Sequence, residues 1–446
     1  MKRFIALVGL TVLMAPPVVN AEVSDADFQQ LKDSLNQALN RINELEKQRV
    51  DTNANSEEET SVSEQVTANT AKLSRLDWAE RLRIEGDFRY RYENQDVDDT
   101  LFSGTPPGPD GEAFGDTIEN GSRNRNRIRA RLALIAQLPS NVEVGFGLAS
   151  GSDDPVSANT TLGGYSNSKD VFLDLAYFDW SGFENTNIRG GKFKNTFEVV
   201  GKSQLQWDAD WRPEGMDIAW DNDRFFAQAL GTYLESDSKK DSEFAYMLQA
   251  GARLDLGSVK FIGGVGYTDI DAKGSECFYI GNDIAGQATC LGNQASGPNA
   301  DGNYEYINDF NVYNVFASAA FDVVDTPVSI FGDYIKNSDA DNYDQGYLVG
   351  LQVGKIKDPG DWQFKYYYED IEANSTLALL ANSDFGGGGT NGKGSVFSAG
   401  YGLTKQSNLK LTYYLVERNS DGISTINFGD DFSFDTLQAD LNFKFK

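Results

Sequence analysis

Residues 123 to 138 read RNRNRIRARLALIAQL, and polar and apolar positions alternate along them with a period of two. Arg123, Arg125, Arg127, Arg129 and Arg131 hold one register; Ile128, Ala130, Leu132, Leu134, Ala136 and Leu138 hold the other. This is the strand period, because successive side chains of a strand point to opposite faces. A helix would spread the arginines around its circumference. Just upstream, RLRIEGDFRYRYE places Leu82, Ile84, Phe88, Tyr90 and Tyr92 on one face, and Arg81, Arg83, Glu85, Asp87, Arg89, Arg91 and Glu93 on the other. The same alternation recurs less cleanly around 244–254, 347–354, 362–369 and 409–415. A strand with one cationic and one aliphatic face fits a nucleic-acid-binding sheet, or a barrel wall with lipid outside and water within.

The connections favour the barrel. Short links at 139–141, 221–223, 256–258, 324–326, 358–360 and 405–408 alternate with polar stretches at 94–121, 152–168, 198–214, 270–308, 373–393 and 419–431. Shorter members of the second set fall near 235–242 and 338–343. Tight turns at one end and long loops at the other characterise outer-membrane barrels, and pairing them predicts about 16 antiparallel strands. A barrel of that size encloses an aqueous channel. The aliphatic edge of 123–138 would then face lipid, where a midplane charge costs about 2–4 kcal/mol, and the arginine edge would face a solvated lumen.

The N-terminal region is patterned differently. Lys2 and Arg3 precede an apolar run from Phe4 to Met14, and Val19-Asn20-Ala21 offers a cleavage site, so residues 1–21 read as a signal peptide. Phe28, Leu31, Leu35, Ala38, Ile42 and Leu45 then form a heptad seam, predicting an oligomerising coiled coil over 22–50 in the periplasm. An acidic linker over 51–77 carries a second short heptad run (Val62, Val66, Asn69, Leu73, Leu76), and 78–446 is the barrel domain.

Composition narrows the choice further. The chain carries a net charge of −28, which argues against a nucleic-acid partner. A mean hydropathy of −0.45, with no apolar run long enough to span as a helix, excludes helical membrane proteins. There is no histidine, which removes the usual triads and zinc ligand sets; no enzyme, cofactor or metal site is expected. The two cysteines, Cys277 and Cys290, lie in an exported chain, so a disulfide closing a loop of about 14 residues is the expected state, worth roughly 3 kcal/mol.

WAERLRIEGDFRYRYE (78–93), the arginine run at 123–131, DPVSANTTLGGYSNSKDVFLDLAYFDW (154–180), GGKFKN (190–195), WDADWRPEG (207–215) and SDFGGGGTNGKG (383–394) together resemble the putative-porin family of Gram-negative outer membranes. The resemblance runs in order through nearly all of 78–446. Thr196 departs from it where a proline often follows GKFKN, and Lys446 displaces the terminal aromatic inward to Phe445. The resemblance implies a channel integral to the outer-membrane lipid, often preceded by a periplasmic coiled coil. By analogy with large porins, the third long loop would fold inward and bring Asp208, Asp210 and Glu214 opposite Arg83, Arg89, Arg91 and the arginines of 123–131. The expected function is passive diffusion of ions and small hydrophilic solutes through a homotrimer. Two alternatives stay open: an anion-specific channel, and a plugged structural protein that tethers the envelope to a periplasmic partner through its coiled coil.

Overall fold

The computed structural model describes residues 81–98, 121–236, 243–277, 290–296, 304–418 and 432–445, with scattered helical positions between 33 and 41. The signal peptide, the linker and the whole predicted seam (Phe28, Leu31, Leu35, Ala38, Ile42, Leu45) lie outside the described residues. The chain divides into two units, Met1–Asp77 and Trp78–Lys446.

The second unit is a closed antiparallel barrel. Its wall strands are β1 (Leu82–Asp98), β2 (Gly121–Leu138), β3 (Val142–Ser150), β4 (Val171–Phe183), β5 (Thr186–Lys192), β6 (Glu214–Asp221), β7 (Phe225–Glu235), β8 (Glu243–Asp255), β9 (Val259–Ile270), β10 (Phe310–Val323), β11 (Thr326–Asn337), β12 (Gln345–Gly354), β13 (Trp362–Ile371), β14 (Gly392–Gly402), β15 (Ser407–Arg418) and β16 (Phe432–Phe445). Each pairs with its chain neighbours, and β1 closes the ring on β16, with Gly86 opposite Phe445 and Arg91 opposite Asp440. Closure leaves no unpaired sheet edge. The two-residue strand Thr160–Thr161 adds a short rung against Arg127 and Ile128 of β2, inside the long connection after β3.

The period-two pattern is why these segments are wall strands. Ile84, Phe88, Leu132, Leu134, Val265, Val315, Val349 and Leu411 are all exposed on the outer face, as a lipid-facing surface requires. Outward aromatics cluster at both rims. Tyr233, Tyr246, Tyr313 and Tyr347 lie toward the long loops; Phe183, Phe225, Trp362 and Tyr401 lie toward the short turns. At the short-turn end the β10–β11 hairpin needs only two residues, Val324 and Asp325, both at positive φ (48° and 63°), the conformation that matches strand twist.

The lumen is not a uniform water-filled tube. Apolar side chains face inward from β7 to β13, among them Phe226, Leu230, Met247, Phe316, Phe331, Ile335 and Leu348. They pack against two inward-folded connections. One, L3, runs from Phe193 to Pro213; the other, L7, spans 372–391 between β13 and β14.

Candidate functional site

L3 reaches far across the lumen. Gln249 on β8 accepts the Glu198 N–H (2.8 Å) and donates to its carbonyl (3.0 Å). Gly201 then lies flat on the Phe331 ring of β11, so close that a Cβ would sit 2.3 Å from a ring carbon, and at φ 58°. Only glycine meets both conditions there. The returning half is stiffened by aromatics, with Trp207 stacked on Trp211 (5.2 Å between centroids) and on Phe197 (6.2 Å).

The sequence pattern predicts a polar external loop over L7, yet Ala373, Leu377, Leu379, Leu380, Ala381 and Phe385 are all buried, and the loop folds into the barrel. It is held from two sides. The Asp208 N–H of L3 donates to the Leu380 carbonyl (2.7 Å), and the Asp208 carboxylate accepts the Ser383 N–H (2.8 Å). On the other side is the segment that follows Cys290, which is disulfide-bonded to Cys277 with Cα atoms 5.4 Å apart. Asn293, fully buried, donates to the carbonyls of Ala373 (2.6 Å) and Thr376 (2.8 Å) and accepts the Ala378 N–H (2.8 Å).

The arginine face of β1 and β2 looks onto these loops. Arg91 is almost wholly buried: Nε and Nη2 clasp the Asp440 carboxylate of β16 (2.7 and 3.0 Å), and Nη1 reaches Asp384 of L7 (3.0 Å). Gln438 donates to the same Asp384. Arg129 pairs with Asp87 (2.8 Å) and, across the lumen, with Asp210 of L3 (3.3 Å). Arg131 lies 3.0 Å from Asp210 and 3.7 Å from Asp174, which also faces Arg212 of L3 (3.2 Å). Arg125 pairs with Glu93, and Arg127 lies 3.6 Å from that same carboxylate. Arg89 donates to Asn159 of the connection after β3.

Two predicted members stand apart. Arg83, at the short-turn end, pairs with Glu85 and Glu143 (3.5 Å each), and Arg123, toward the long loops, is held by Gln95. Glu214 opens β6 rather than closing L3, is exposed, and pairs with Lys192 instead of an arginine. Asp210 is the L3 acid that meets the arginines; Asp208 is spent on the loop-to-loop contact. Nor is the arginine face simply solvated. Its charges sit largely within ion pairs, because a partly buried cation needs a counter-charge. Sequence reasoning missed Asp384, Asp440, Glu93, Asp87 and Asp174 as their partners. The alternation of β1 and β16 does place Asp87, Glu93 and Asp440 on the lumen face, whereas Asp384 had no such signal.

The loop carboxyls are tuned in opposite directions. Burial, together with the neighbouring Asp210, pushes Asp208 up to about 7. Burial would raise Asp210 as well, but Arg131, Arg129 and Arg212 more than offset it and hold the carboxyl low. Asp384 is likewise kept well below the usual carboxylate range by Arg91, Arg89 and Arg127 against the effect of burial. The constriction therefore carries fixed negative charge on the loops facing fixed positive charge on the wall.

OprB of Pseudomonas putida at high pH superposes with a TM-score of 0.51 at 11% identity, over 83% of this chain and 96% of that one. In vitro folded OmpT of Vibrio cholerae, in a trimer form, gives 0.44 at 11% identity over 82% and 99%. A triple mutant of Rhodopseudomonas blastica porin gives 0.42 at 11% identity over 82% and 100%. No curated protein sequence matches the chain. A family model described as "Putative porin" matches residues 32–234 and 302–445, most of the chain. The chain belongs to that family, an outer-membrane porin whose barrel is closed by sixteen wall strands.

Proposed function

We propose that small hydrophilic solutes and ions diffuse through the gap between the arginine face of β1–β2 and the inward faces of L3 and L7. The carrying observation is the pairing across the lumen: Asp210 with Arg129 and Arg131, and Asp384 with Arg91. Opposed charges fixed on facing walls impose a transverse field, which favours solutes that can orient a dipole and admits ions by sign. Single-channel recording of the purified mature protein in a planar bilayer tests this reading. Stable current steps are expected, arriving in threes for the trimer we propose. Silence from correctly folded barrels would move the weight to the plugged, structural role, for which the apolar packing of L3 and L7 is the supporting observation.

An anion-specific channel is the second reading. Arg89 has no carboxylate within ion-pair distance among the described residues, and the buried Nε of Arg89 and of Arg127 lack hydrogen-bond partners. Saturable block of the current by a small carboxylate would favour it over general diffusion. We further propose that residues 1–21 direct export and that the seam over 22–50 joins protomers on the periplasmic side. Deleting 22–76 should leave conductance intact while weakening the oligomer or the envelope.

A further inference from the structure

The arginines of the constriction are nearly matched by acids; a second set of lumen cations is not. Lys202 stands on L3, Lys365 on β13, Lys410 on β15 and Lys444 on β16. The last three share the inward register of their strands, with Tyr367, Thr412 and Asn442 respectively, while Phe364, Leu409 and Phe443 point out to lipid. Lys202, Lys410 and Lys444 are exposed to lumen water, and Lys365 is half-buried. Elsewhere Lys192, Lys194, Lys336 and Lys393 each pair with a carboxylate. None of these four lumen lysines does so among the described residues.

Several contacts bring the four together. Lys365 Nζ lies 5.4 Å from the centroid of the Phe331 ring and 4.6 Å from that of Tyr367. Gly201, which precedes Lys202, rests on that same Phe331 ring. The pairing of Lys365 with Ser398, and of Ser398 with Thr412, puts Lys410 one inward position nearer the short-turn end. Lys410 is directly opposite Asp440, but Asp440 is already clasped by Arg91. Lys444 lies two inward positions beyond Asp440 toward the same end, and its charge, after burial, is what lowers the pKa of Lys202.

We propose that Lys202, Lys365, Lys410 and Lys444 form an anion station on the short-turn side of the constriction. It binds small polyvalent anions bearing carboxylate or phosphate groups and sets the sign of the channel's ion selectivity. Four like charges outside any ion pair in a confined mouth concentrate anions, whereas a wall of closed ion pairs contributes a field with little net charge. The arginines thus orient what passes, and the lysines choose its sign. This rests on the reading of the barrel as an open channel.

The test compares the mature protein with a K202Q/K365Q/K410Q/K444Q variant in planar bilayers under a KCl gradient. Citrate is added to one face at a time. The chloride-to-potassium permeability ratio should fall at least about threefold in the variant, and citrate block from the short-turn face should weaken at least about tenfold. A conducting variant with an unchanged ratio and unchanged block overturns the proposal. If the wild type itself does not conduct, the channel reading fails, and citrate titration of detergent-solubilised protein decides the station separately. Binding that the variant loses supports the station; no binding by the wild type overturns it. Should the variant not fold, Lys410→Cys in the inserted protein serves instead, since both native cysteines are bonded to each other. A cationic methanethiosulfonate reagent should restore anion preference where a neutral one does not, and equal effects of the two would refute the assignment.

Discussion

Asn293→Ala removes one side chain that lies outside the wall strands, and should change what the channel conducts. Asn293 satisfies three backbone groups of L7, the carbonyls of Ala373 and Thr376 and the N–H of Ala378. The Ala373 carbonyl keeps a second donor, Thr390 Oγ1 at 2.9 Å, so two buried groups are stranded. At about 1–3 kcal/mol for each unsatisfied buried group, the cost is about 2–6 kcal/mol. That cost falls on the docked state of L7 alone, because no rung of the barrel ladder involves Asn293. At about 1.4 kcal/mol per tenfold, the balance between docked and released L7 shifts by roughly 30- to 20,000-fold toward release. Released L7 would withdraw Asp384 from Arg91 and part of the apolar filling from the lumen. Single-channel traces should show larger or flickering conductance, and a protease added to the long-loop side should cut between 372 and 391 while the barrel stays folded. Conductance, noise and cleavage rate all within about twofold of the wild type would refute the claim that this side chain holds the loop.

Three further outcomes are expected. Replacing Arg127 and Arg129 with serine leaves Asp210 facing fewer cations and should shift the reversal potential toward cation preference; an unchanged potential would mean these arginines only brace the wall. Asp208 is a carboxyl whose pKa rises on folding, so its contribution is full below the ordinary value of about 4 and is lost as the pH climbs through about 7. Current noise from the L3–L7 contact should therefore grow between pH 5 and pH 8 in the wild type and be flat in Asp208→Asn. Removing the disulfide by Cys277→Ser with Cys290→Ser should loosen the segment bearing Asn293 and reproduce, in milder form, the proteolysis of L7, read by the same cleavage assay.

The wall was legible because its constraint is local and severe. Each strand meets lipid on one face, so an alternation such as Arg127, Ile128, Arg129, Ala130 can be read without knowing any neighbour. The alternation faded where the lumen face is itself apolar, as with Phe316 on β10, Phe331 on β11 and Leu348 on β12, since both faces then look hydrophobic. Those residues face apolar surroundings because L3 and L7 pack on them. L7 did carry a faint signal, the apolar cluster Leu377, Leu379, Leu380 and Phe385 in a stretch otherwise typical of a loop. Glu214 was misplaced for a different reason: an acid at a loop boundary changes role when the strand begins one residue earlier.

By itself the sequence determined that this chain closes into a barrel of about sixteen strands with arginines turned inward, because side-chain period and turn spacing are properties of short segments. Only the tertiary structure decided what those arginines meet. Arg91 finds Asp384 and Asp440 across 293 and 349 residues of chain, through ring closure and the path of a loop. Closing the ring and folding the loops inward costs chain entropy, which is recovered only when all the partners assemble at once, so no local pattern records the pairing.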